Sequence, residues 1–289
     1  MSFLVGIMLL ALVTALACAL PGVFIVLRKD SMLVDAIGHA VLPGIVVGYA
    51  LTRDLESPLL ILGAAVAGLV VVLGSEWLTR TRLLAGDAPQ GLVFPALFSA
   101  GVILVSLDFA GIHLDTHAVL VGDLNLAAFA QVYVDGVSIG PRYLYVMLAV
   151  LALVVGFIGL TYRRLKLATF DPQFATTLGM RTGLLNTAFM FLVSLTVTAS
   201  FHAAGAILVL ALVVVPAATA HLVTHRLGSM LAVTAAVAAG GAMAGFWISF
   251  ALDAATSAGM ALVQGLLFAV VLAGVGLARG RERRRHRSD

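Results

Sequence analysis

About 20 consecutive apolar residues, wound as a helix at 1.5 Å per residue, cross a bilayer core of about 30 Å. This chain presents nine such stretches in succession, at 3–27, 31–51, 58–79, 91–110, 143–162, 184–201, 203–224, 229–252 and 257–278. Only 11% of its 289 residues are charged, where a soluble domain carries about 25%. So few charges cannot cover a water-facing surface, so most of the surface faces lipid. A backbone in lipid must satisfy its own hydrogen bonds, and long runs in place of ten-residue alternating strands select a helical bundle over a barrel. The expected fold is all-α, a polytopic transmembrane helical bundle of eight to nine spanning helices over 1–278. An Arg-rich tail follows at 279–289. The 184–224 stretch, with a break near His202, sets that range of eight to nine.

Charge placement orients the bundle. Arg28 and Lys29 follow the first run, Arg80 and Arg82 the third, Arg163, Arg164, Lys166 and Arg181 the fifth, Arg226 the seventh, and the arginines of the tail the ninth. The intervening loops are acidic, with Asp54 and Glu56, then Asp108, Asp115, Asp123 and Asp135, then Asp253. Basic loops stay in the cytoplasm, so the N-terminus is expected outside and the C-terminus inside. The tail reads as a solvated segment beside an anionic leaflet, not as a nucleic-acid ligand. The chain's one cysteine, Cys18, lies in the first run with no Lys or Arg before it. That context fits a packed helix residue and not a lipoprotein signal, and a single cysteine excludes an internal disulfide.

Prolines at Pro21, Pro43, Pro95 and Pro216 interrupt apolar runs and mark expected irregularities, with Pro43-Gly44 a flexible point. Ionisable groups within spans are expensive and therefore candidates for function. Asp35 and His39, in DAIGHAVLPG, share a helix face at i and i+4. A carboxylate oxygen with an imidazole nitrogen suits Mn²⁺, Fe²⁺ or Zn²⁺; a packing hydrogen bond between the two is the plainer alternative. In the outer loop His113, Asp115 and His117 alternate, and on one side of an extended strand they would capture cations. His202 is a candidate metal ligand as part of an outer gate. Glu76 and Arg80 read as an ion pair, and His221 and His225 as interfacial histidines. No GxxxxGK[ST], HExxH or GxSxG motif is present, so the chain does not bind ATP through a phosphate loop.

Three stretches in order, DSMLVDAIGHAVLPGIVVGYAL (30–51), LKLATFDPQFATTLGMRT (165–182) and GAILVLALVVVPAATA (205–220), resemble the zinc/manganese-type permeases of ABC transporters. These are the membrane subunits of bacterial metal-ion importers. The resemblance implies a non-enzymatic permease of ABC importer type in the bacterial inner membrane. Its transported ion is manganese, zinc or iron, with no permanently bound cofactor. It implies a separate ATP-binding cassette subunit, an extracytoplasmic metal-binding protein and a second permease copy as partners. It assigns metal binding to Asp35 and His39. It makes 165–182 a cytoplasmic coupling segment, with Phe170, Asp171, Pro172 and Leu178 at the ATPase. A transported ion must also leave, so two or three protein ligands with water suit the site better than a closed cage. LVGDL (120–124) departs from the family by placing Asp123 after the glycine, where an Asn is usual, and Pro95 interrupts a run expected to be smooth. An intramembrane enzyme or a gradient-driven secondary transporter using Asp35 and His39 are the competing classes. The first would lack a coupling segment, and the second would more often show paired halves.

Overall fold

The computed structural model describes residues 3–53, 57–84, 86–108, 124–134 and 137–288. The nine apolar runs become nine helical stretches long and apolar enough to cross a membrane, counted among the described residues. They are α1 (Phe3–Arg28), the pair α2 (Ser31–His39) and α3 (Val41–Thr52), α4 (Pro58–Arg80) and α5 (Ala88–Asp108). After the single turn α6 (Leu124–Ala127) and an antiparallel hairpin of β1 (Gln131–Val134) and β2 (Val137–Pro141) come α7 (Arg142–Phe170) and the short α8 (Pro172–Thr177). The bundle closes with α9 (Thr182–Ala204), α10 (Ala206–Val223), α11 (Leu227–Ala251) and α12 (Thr256–Ser288).

Pro21, Pro95 and Pro216 lie inside unbroken helices. Only the run containing Pro43 divides, and it does so at Ala40, three residues before the proline. Residue 43 would normally donate its N–H to the carbonyl of His39; proline has no N–H, and its ring crowds that carbonyl. Ala40 therefore closes α2 with a tightened turn, its N–H shared between the carbonyls of Ala36 and Ile37. The irregularity thus falls next to His39, not at the Pro43-Gly44 step.

The break near residue 202 also shifts. His202 belongs to the last turn of α9, and the chain turns at Gly205, whose φ of 78° lies in the region that glycine enters without strain. α7 runs past the apolar segment, carrying Arg163, Arg164 and Lys166 as a continuous helix as far as Phe170.

Two subclusters share one core. α1 packs against α7, α10 and α11, and α12 against α10 and α11. Phe24, Leu10, Ile25, Leu208 and Leu212 are buried among these helices, with Phe189 of α9 against them. The second group sets α3 and α5 on α4, with α2 held between α4, α5, α9 and α10. Here backbones nearly touch: a methyl on Gly44 would run into the carbonyl of Gly63, and one on Gly48 into Leu59 and Leu60. Small residues four apart let helices approach in lipid, where apolar burial does not drive them together. The Ser194 hydroxyl adds a bond from α9 to the Ala65 carbonyl at 2.8 Å, but such bonds contribute only about 0.6 kcal/mol on average. Close packing is the larger effect. On the outside, Leu160, Ile207 and Leu107 are among many large exposed apolar side chains, as a lipid-facing surface requires.

Candidate functional site

The helix begun at Ser31 puts Asp35 and His39 one turn apart, with His39 Nε2 3.6 Å from Asp35 Oδ1. That is too long for a direct hydrogen bond and leaves both groups free to engage a third partner. Their side chains are 41% and 46% exposed, so this pair opens onto the surface of the chain instead of being consumed in its core. The packing alternative requires the opposite. The residues between them, Ala36, Ile37 and Gly38, are buried. Gly38 lies under the Phe201 ring of α9, where a methyl would come within 2.6 Å of Cζ. The imidazole of His39 stacks on Phe94 of α5, with 5.4 Å between centroids and 25° between planes. Phe94 had no distinguishing mark in the sequence beyond standing next to Pro95.

His202 goes elsewhere. Its ring lies 5.0 Å from that of Tyr143 at the start of α7, and the Tyr143 hydroxyl donates to the Ala199 carbonyl at 2.6 Å. His113, Asp115 and His117, with Asp123, lie outside the described residues. Among the described residues no three His, Cys, Asp or Glu side chains gather as a metal cage. A carboxylate with a neutral imidazole can hold a divalent transition metal, with water or facing groups filling the remaining positions.

α8 follows directly on the last turn of α7. Asp171 caps it by accepting from the Phe174 N–H at 2.9 Å, and Pro172 occupies the first helical position. Phe170, Phe174 and Leu178 are 60%, 51% and 59% exposed. They form an apolar set at a helix in a basic connection, where lipid does not account for it. Phe174 carries no signal in the sequence, because one aromatic among polar neighbours has no periodicity. Glu76 and Arg80 form an ion pair at 2.7 Å, and His221 and His225 are exposed where α10 ends.

Arg28 is the residue whose place the sequence least foretold. Its Nε donates to Thr169 Oγ1 at 3.2 Å and its Nη1 to Asn186 Oδ1 at 2.6 Å. The guanidinium carbon sits 4.9 Å from the centroid of Phe189. Beside it, burial holds the Asp30 carboxyl above its ordinary pKa; Arg28 opposes that shift, while Asp87 and Glu76 add to it.

Residues 1–274 match the family described as the ABC 3 transport family. A zinc transport system membrane protein, TroD of Treponema pallidum, is 42% identical over 265 residues, covering 92% of this chain and 72% of that protein. A manganese transport system membrane protein, MntD of Bacillus subtilis, is 38% identical over 269 residues, covering 93% and 91%. The fold matches that of PsaBC from Streptococcus pneumoniae, solved in complex with Fab, with a TM-score of 0.76 at 24% identity over 94% of this chain and 91% of that one.

Proposed function

The chain belongs to the ABC 3 transport family, and from that membership we propose that it is the membrane-spanning permease of an ATP-driven importer of divalent transition-metal ions, manganese, zinc or iron. The named activities of the zinc and manganese relatives support this reading. It is a multi-pass protein of the bacterial cytoplasmic membrane, a transport subunit and not an enzyme. A separate ATP-binding cassette subunit hydrolyses ATP against α8, where Phe170, Phe174 and Leu178 offer the docking surface and Asp171 and Pro172 set the helix that presents them. An extracytoplasmic metal-binding protein delivers the ion. The intramembrane-enzyme and gradient-driven alternatives are not favoured, since residues 1–274 match the ABC 3 transport family.

The observation that carries the site is the exposure of Asp35 and His39. Counting from Arg28-Lys29, His39 lies about ten residues in, or roughly 15 Å at helical rise, close to mid-bilayer. A charge facing lipid there costs about 2.5–3.5 kcal/mol. A second copy of the chain covers that face, and α5, which buries little of itself against its own chain, is the element beside it. The ion then passes between two copies, held transiently by Asp35 and His39.

The test is uptake of Mn²⁺, Zn²⁺ and Fe²⁺ by vesicles carrying the permease with its ATP-binding subunit and supplied with the metal-binding protein. Asp35→Asn and His39→Ala each abolish uptake while leaving assembly intact, and the double variant is little worse than either alone because one site is lost either way. Assembled variants that import at the normal rate would reject the site. Variants that fail to assemble would support the packing role.

A further inference from the structure

We infer that Arg28 is a positioning residue that ties the coupling segment to the helix bearing Asp35 and His39. The inference rests on the importer reading above and assigns it a mechanical link. α8 is suspended between two helices, the end of α7 and the start of α9. One guanidinium holds both. Nε bonds Thr169, the residue before Phe170 in the last turn of α7, and Nη1 bonds Asn186 in the second turn of α9. The Phe189 ring beneath it is fully buried and packs edge-on against Phe24 of α1. A displacement of α8 that moves α7 and α9 unequally must therefore break one of two charge-assisted bonds or carry Arg28 with it.

Arg28 is also the last residue of α1, and the connection from there to α2 is stiff. The Lys29 N–H bonds the Val26 carbonyl at 3.1 Å and the Asp30 N–H bonds the Ile25 carbonyl at 3.0 Å. This paired pattern closes a helix with one left-handed residue, here Lys29 at φ 63°. Ser31 opens α2 directly afterwards, and Asp35 stands within that helix. Movement of Arg28 thus reaches α2 through two ordered residues and no loop. The fork geometry is what the task needs: an ammonium is a single point charge and cannot span Thr169 and Asn186 in fixed directions.

A structural staple would show the same contacts, so the experiment separates stability from coupling. Wild type, Arg28→Lys and Thr169→Val are purified with the ATP-binding subunit and reconstituted in the presence of the metal-loaded extracytoplasmic binding protein. Thermal midpoint, ATP turnover and Mn²⁺ moved per ATP are then measured. Arg28→Lys keeps the cytoplasmic charge, and Thr169→Val removes one hydroxyl. For both we expect assembled complexes that hydrolyse ATP, with Mn²⁺ per ATP falling about tenfold, the scale of one lost charge-assisted hydrogen bond. An unchanged ratio, with or without a lower midpoint, makes Arg28 a staple and overturns the inference alone. If Arg28→Lys does not assemble, the ratio for Thr169→Val decides in the same two directions. A wild-type complex that, with the metal-binding protein present, moves none of Mn²⁺, Zn²⁺ or Fe²⁺ on addition of ATP overturns the importer reading, and the inference with it.

Discussion

Gly44 shows how much a single hydrogen atom decides in this bundle. A methyl there meets the backbone of Gly63 and Ala64, which cannot rotate away, whereas a methyl on Gly156 meets nothing within 4 Å. Gly44→Ala should therefore destabilise the protein by about 1–3 kcal/mol through overpacking, while Gly156→Ala is neutral or gains up to about 1 kcal/mol of helix propensity. Thermal unfolding in detergent compares the two. Asp30 makes a second prediction. Burial raises its pKa in the fold, so the folded state binds the proton more tightly than the unfolded chain does. Its contribution is fully present below the unfolded pKa and is lost as pH rises through the folded one. Relative to Asp30→Asn, the wild type should lose thermal stability as pH rises above the ordinary carboxylate range; parallel profiles would refute this. The same scale shows what sequence can deliver. Asp35 and His39 were legible because i and i+4 is a local relation. Phe94 and the partners of Arg28 come from helices far along the chain, and no local pattern announces them.

Elements followed the apolar runs closely, since span length and backbone satisfaction leave a lipid-embedded chain few choices. Their ends obeyed other rules. α7 overran its apolar segment because a helix continues through Arg, Lys and Leu once it is started. The break in the second span appeared three residues before Pro43, because the cost of a proline falls on the carbonyl four residues earlier. Pro43→Ala supplies the missing N–H to the His39 carbonyl and should join α2 to α3 as one helix. The expected result is a thermal midpoint at or above that of the wild type, with Mn²⁺ uptake about tenfold lower because Asp35 and His39 are re-aimed. Full uptake in a well-folded Pro43→Ala protein would mean that the break is incidental. The hairpin of β1 and β2 was not legible in the sequence. Strands of 4 and 5 residues between α6 and α7 are too short for an alternating pattern to stand out among apolar runs.

For the whole molecule, the nine spans among the described residues would put the two ends of the bundle on opposite sides, and the basic loops would choose which. In a Cys18→Ala background, Arg226→Cys should react with a membrane-impermeant thiol reagent from the cytoplasmic face, and Asp253→Cys from the outer face. Labelling of both from one side would defeat the orientation. That background is needed because the natural thiol is informative in itself. Cys18 is fully buried between α1 and α9, donating to Ser200 Oγ at 3.1 Å, and Ser200 in turn donates to the Thr196 carbonyl of its own helix. A permeant alkylating reagent meets this sulfur only in the fraction of molecules in which those helices have parted, so the alkylation rate is the opening equilibrium multiplied by the intrinsic reactivity of the thiol. The unaltered chain is thus its own gauge of breathing: one sulfur, at the seam of two helices, timed by a reagent that waits for the seam to part.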